Sequence, residues 1–276
     1  MSESGPILAA VDMSEGSLVA LDRARELSEV TDHPLVVCTV LEGEHRPAIV
    51  DVVRSHLESL APTGEVMIRT GRPFVELIRV GREVDASLIV AGATGEHSQG
   101  QLARGVTVDR LARKADRPVL VVRRPTAGEY RSVVVGVDGS VDATQAARLA
   151  RLLAPRARII GLFASEMAGE KWLAARQFTD EELAAYRDGL QEDANRRIDS
   201  IAADIPIDDQ EAVVGRPEVA LIAAAEKYAA DLLAVGRRGV TRITSVLLGS
   251  VGHHLVHEAP CDVLVYRSGD LAFELP

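Results

Sequence analysis

Short, mostly apolar runs alternate with stretches whose apolar residues recur every three or four positions, and the alternation continues along nearly the whole chain. In the amino-terminal part, Ile7–Val11, Leu35–Val40, Glu65–Arg69, Leu88–Ala91 and Val119–Val122 predict five strands. Between them, Ser14 caps a predicted helix to about Val30 with Leu21, Ala24 and Leu27 facing inward. Further helices are expected at Ile49–Leu60, at Pro73–Val84 with proline in its first turn, and at Thr107–Lys114. Strands apolar at both faces, alternating with helices, predict a parallel sheet covered on both sides.

The same pattern then recurs. Gly71-Arg72-Pro73 matches Gly215-Arg216-Pro217 at an offset of 215 − 71 = 144, which holds without a gap to Arg123 with 17 identities in 53 positions. Val11-Asp12 matches Val137-Asp138 at the smaller offset of 138 − 12 = 126, so the second copy carries 18 extra residues. They lengthen its middle helix, whose start has the capping-box residues Thr179 and Glu182. A period this long means duplicated domains and not a solenoid. The expected boundaries are 1–125 and 130–276, with a linker over Arg124–Glu129. Each copy is expected to be a doubly wound α/β domain with a five-stranded parallel sheet. Its ligand crevice belongs at the carboxyl ends of strands one and four, where strand order reverses. Asp12 and Asp138 fall at those ends, as do Gly92, Gly95 and Gly105 and their partners Gly236, Gly239 and Gly249.

Composition narrows the partners. With 47% hydrophobic residues in 276, two cores of ordinary size are available. A net charge of −10 argues against nucleic acid or an anionic membrane as partner. No apolar run reaches the roughly 18 residues of a membrane span, and the first residues lack the basic start and apolar core of a signal peptide. Cys38 and Cys261, one per copy, make neither a disulfide framework nor a zinc site, which places the protein in a reducing cytoplasm.

The glycine loop fits a nucleotide best among phosphate ligands. Gly249-Ser250 precedes a predicted helix whose free N–H groups and dipole suit an anion. Asp138 can accept from a ribose hydroxyl or an adenine amino group, and Arg237, Arg238 and Arg242 put positive charge beside the loop. A Walker loop is excluded because Lys114, Lys171 and Lys227 are the only lysines and none follows glycine. A dinucleotide fingerprint is excluded because no two glycines stand two apart.

With these residues in view, the chain resembles a tandem universal stress protein, the likeness covering both halves almost end to end. The family's ATP-binding pattern G-x2-G-x9-G-[S/T] is matched by Gly236, Gly239, Gly249 and Ser250. The resemblance implies the adenine nucleotide alpha hydrolase-like fold and ATP, with Mg²⁺, as cofactor. It implies that Asp138 holds ribose and adenine and that the Phe163 position lines the base pocket, where the first copy has Val40. Val235, Gly236, Arg238 and Gly239 would follow the ribose and phosphates, and Gly249, Ser250 and Val251 would donate to the phosphates. It also implies that the domains pair through their last strands within one chain, with a homodimer of chains possible. In the first copy Val106 stands where the pattern wants serine or threonine. Thr107 is rotated about 100° away on a helix, and a hydrogen bond to a charged group is worth about 1.5–3 kcal/mol. Asp12, Gly92, Gly95 and Gly105 are therefore expected to form a weaker or silent site.

Other signals carry less. His253 and His257 stand four apart on the helix after Ser250 and can share a metal, but no carboxylate lies where a zinc-protease helix needs one. They are read as a solvated face, with no metal ligands assigned. Trp172 and Phe178 are read as core or dimer contacts, and helix Thr179–Ile201 as an exposed face or a cover over the nucleotide. No residue is an evident general base. The expected function is a nucleotide-dependent regulator that signals to an unidentified protein partner. The alternatives are a slow ATP hydrolase or nucleotidyl transferase of the same fold, and an ATP-free scaffold.

Overall fold

The computed structural model describes residues 5–43, 46–93, 106–165, 179–237 and 250–267. The first copy runs β1 (Ile7–Ala10), α1 (Glu15–Thr31), β2 (Leu35–Leu41), α2 (Pro47–Leu60), β3 (Glu65–Thr70), α3 (Pro73–Glu83), β4 (Leu88–Gly92), α4 (Val106–Lys114) and β5 (Val119–Val122). The second runs β6 (Ser132–Gly136), α5 (Val141–Leu153), β7 (Arg158–Ser165), α6 (Asp180–Ala202), β8 (Asp209–Val214), α7 (Pro217–Lys227), β9 (Leu232–Gly236), α8 (Ser250–Glu258) and β10 (Asp262–Tyr266). Local signals set the boundaries. The Ser14 and Ser140 hydroxyls cap α1 and α5 by accepting from Ser17 N and Ala143 N. Both halves of the Thr179–Glu182 capping box open α6. Trp172 and Phe178 lie outside the described residues.

All ten strands form one sheet, ordered β3-β2-β1-β4-β5-β10-β9-β6-β7-β8. Neighbours within each copy are parallel. At the junction β5 and β10 are antiparallel, with Leu120 opposite Leu264 and Val121 opposite Val263. Alternation along these strands sends Val119, Val121, Val263 and Val265 to one face and Leu120 and Leu264 to the other. Each face carries an apolar cluster drawn from both copies, so the two cores are continuous across the junction.

Arginines fasten the junction from both sides. Arg123, at the end of β5, donates to Val256 O (2.6 Å) and His257 O (2.9 Å) in the last turn of α8. Its counterpart Arg267 (123 + 144 = 267) donates to Ala115 O (3.1 Å) and Lys114 O (3.4 Å) at the end of α4. Each guanidinium meets the carbonyl end of the other copy's helix, where the helix dipole favours positive charge. The linker is held as well: Thr126 donates to Glu26 (2.5 Å) and Arg23 to Gly128 O (2.9 Å).

Candidate functional site

Strand order reverses in the second copy beside β6, whose neighbours are β9 and β7. Asp138 lies two residues beyond β6, and Val235 and Gly236 end β9. Half-buried Asp138 accepts from Ser140 N through Oδ1 (2.9 Å), and its Oδ2 makes no hydrogen bond among the described residues. Asp12 is more engaged by its own turn. Its Oδ1 accepts from both Ser14 N (3.1 Å) and Ser14 Oγ (2.5 Å), and its N–H donates to Ser17 Oγ (3.2 Å). The second copy has Ala143 where the first has Ser17, and Gly139 (φ +82°) where the first has Met13 (φ 64°).

Gly92 and Gly236 have a packing cause that the sequence reading did not supply. A methyl group built on Gly236 would lie 2.7 Å from Ala143 N and 2.8 Å from Asp142 C. On Gly92 it would lie 2.4 Å from Gly16 O and 3.0 Å from Ser17 N. Asp142 and Ala143 match Gly16 and Ser17 (16 + 126 = 142). In both copies, then, the end of the fourth strand touches the first turn of the first helix too closely for any side chain. Glycine at this position is required whether or not a ligand binds.

Two further expectations change. Arg237 is buried, donates its backbone N–H to Tyr266 O (2.7 Å), and donates its side chain to Arg113 O in the first copy. It joins the junction, not a phosphate pocket. Phe163 is 6% exposed, with the Arg197 guanidinium 5.6 Å over its ring. It faces the cluster that contains Ala194 and Ile198 of α6. The strand register explains why. Val11 N donates to Cys38 O and Val137 N to Leu162 O, so Phe163 is level with Thr39, and Val40 with Ala164. A shift of one residue moves a side chain to the opposite face of a sheet. Half-buried Ala164, which lies against the other cluster, is the counterpart of Val40. The signal was available only by aligning this strand separately, because its offset of 124 differs from those on either side.

Ser250 opens α8 as Val106 opens α4, and Val251 packs partly buried against the core. Gly95, Gly105, Arg238, Gly239 and Gly249 lie outside the described residues. α6 packs its apolar seam on the sheet and brings Ile201 within 3.5 Å of the methyl position of Gly139, beside the Asp138 turn. Cys38 and Cys261 are buried, and desolvation pushes both thiols up to about 12, which leaves them unreactive. No helix among the described residues is long and apolar enough to cross a membrane.

The family model described as "Universal stress protein family" matches the chain twice, over residues 4–123 and 129–267. Universal stress protein Rv2005c of Mycobacterium tuberculosis is 27% identical over 245 residues, which covers 82% of this chain and 78% of that protein. A universal stress protein of Thermus aquaticus is 31% identical over 141 residues, covering 50% of this chain and 99% of its own. Among solved structures, a universal stress protein from Archaeoglobus fulgidus superposes with a TM-score of 0.66 at 19% identity, covering 97% of this chain and all of its own, a likeness of fold. Two tandem matches that together take in nearly every residue place this chain in the universal stress protein family.

Proposed function

We propose that the second copy binds ATP with Mg²⁺, and that the chain serves as a cytoplasmic, nucleotide-dependent regulator whose bound state is read by a protein partner during stress. The observation that carries this reading is the pairing of Asp138, whose Oδ2 accepts no hydrogen bond among the described residues at the strand-order reversal, with a complete G-x2-G-x9-G-S pattern after β9. That oxygen fits the hydroxyl donors of a ribose. In this reading Val235 and Gly236 border the sugar, and Arg238, Gly239, Gly249, Ser250 and Val251 supply donors to the phosphates. The metal ion would neutralise phosphate charge. Ala164 joins or replaces Phe163 beside the base. The first copy, with Val106 in the pattern's hydroxyl position and Asp12 held by Ser14, binds weakly or not at all.

Mass spectrometry of the native protein for co-purified nucleotide, followed by calorimetric titration with ATP and Mg²⁺, tests this. Asp138→Ala should weaken binding by about tenfold or more, the worth of one hydrogen bond in a charged site, while Asp12→Ala leaves it unchanged. Equal effects of the two substitutions, or no binding by the parent protein, would refute the reading.

A further inference from the structure

We propose that Asp109, His253 and His257 form a three-ligand site for a divalent transition metal of the zinc class, clasping α4 of the first copy to α8 of the second. The antiparallel β5–β10 junction sets these helices side by side. Asp109 and Arg113 correspond to His253 and His257 (109 + 144 = 253; 113 + 144 = 257), so an i, i+4 pair on one helix faces the matching pair on the other. The carboxylate that the histidines' own helix lacks is supplied across the junction by the first copy.

The distances are those of ligands around a central ion. Nε2 of His253 and Nε2 of His257 each lie 3.4 Å from Oδ1 of Asp109, and the three atoms fall within 4.8 Å of one another. Zinc bound at about 2.0–2.2 Å to nitrogen and oxygen gives tetrahedral edges of roughly 3.3–3.5 Å. Two of the three edges already have that length. By contrast, a charge-assisted hydrogen bond closes to about 2.7–2.9 Å, and both imidazoles stand well outside it. Histidines at i and i+4 on one helical face are a spacing that holds zinc.

The surroundings suit the role. Arg113 Nε lies 2.9 Å from Oδ2 of Asp109 and 3.1 Å from Oδ1, which orients the carboxylate. Its charge also lowers the affinity for a cation. Arg237 donates to Arg113 O, and Arg123 donates to His257 O at 2.9 Å, so the turns that carry the ligands are anchored from across the junction. Anchored helices hold a metal site better than loops do. The His253 and His257 side chains are 43% and 37% exposed, which leaves the fourth position open to water.

The test uses the tag-free full-length chain, stripped with a chelator and titrated with Co²⁺ and then Zn²⁺ at neutral pH. One equivalent of Co²⁺ should give the intense visible absorption of tetrahedral cobalt, and one equivalent of Zn²⁺ should bleach it and raise the unfolding temperature. Asp109→Asn and His257→Gln, each checked for folding by circular dichroism, should each weaken binding by about tenfold or more. Faint octahedral absorption only, an absence of saturable binding, or wild-type binding by both variants would overturn the proposal.

Discussion

The phenol of Tyr130 donates to Asp262 Oδ2 across 2.7 Å, in a site where both residues are buried. The pair joins the first residues after the linker to the start of β10. Asp262 Oδ1 also accepts Arg123 N at 2.8 Å, and the Arg23 guanidinium of α1 stands 4.2 Å over the Tyr130 ring with Nε 3.6 Å from Oδ2. The network therefore ties α1, the linker, β5 and β10 together. Tyr130→Phe removes one partner from a buried carboxylate while keeping the ring and its contact with Arg23. Urea unfolding should show a loss of about 1–3 kcal/mol. An unchanged midpoint would mean that Arg23 and Arg123 satisfy Asp262 by themselves.

The same carboxylate makes stability depend on pH in an unusual direction. Burial holds the Asp262 carboxyl above the usual range, and hydrogen bonds from Arg123 and Tyr130 and the Arg23 charge offset that only in part. Between its unfolded value, about 3.9, and the raised folded value, the folded chain binds more proton than the unfolded one. Stability contributed by this group therefore falls as pH rises through that window and levels above it. Asp262→Asn cannot titrate. The stability of the wild type relative to this variant should decline between about pH 4 and the folded pKa, by at most about 1.4 kcal/mol per pH unit. A difference that grows with pH would contradict the assignment.

Two glycines should respond in opposite ways to alanine. A methyl group on Gly236 meets the α5 backbone at 2.7 Å, and neither strand nor helix can yield without moving the sheet. Gly236→Ala should cost about 1–3 kcal/mol or more, and on the proposed function it should also weaken nucleotide binding, because the α5 turn it would displace is tied through Ser140 to Asp138. Gly189, exposed inside α6 with nothing within 4 Å of its methyl position, has no such role. Gly189→Ala should stabilise the chain by about 0.5–1 kcal/mol. Paired thermal melts of the two variants check both signs.

This contrast shows what the residues disclosed before the structure. The doubly wound, five-stranded parallel sheet of each copy was legible because strand apolarity, proline-led helices and the 144-residue offset all agree, and right-handed crossovers leave few alternatives. The capping box at Thr179 was legible because it is a local pattern. The reason for Gly92 and Gly236 was not, since the helix turn they touch lies about 75 to 95 residues away in sequence. Arg237 was misread for a related reason. An arginine beside a glycine loop suggests phosphate until the junction delivers the Arg113 carbonyl to it. Which face Phe163 takes was hidden by register, because one residue of slip in β7 exchanges the two faces of the sheet.

The continuous sheet has a consequence for unfolding. Leu120 and Leu264 are fully buried opposite one another, and the apolar clusters on both faces draw side chains from both copies. Unfolding either copy alone would uncover the β5–β10 junction and release the Arg123 and Arg267 helix caps, and unfolding the first would also strip Asp262 of its Arg23 and Arg123 contacts. Each of those losses penalises a half-unfolded state more than it penalises the fully folded or fully unfolded chain. The two copies should therefore unfold together, with a calorimetric enthalpy equal to the van 't Hoff enthalpy in the absence of nucleotide and metal. Biphasic unfolding, or a calorimetric enthalpy near twice the van 't Hoff value, would show that the copies melt independently and that the junction contributes little to their stability.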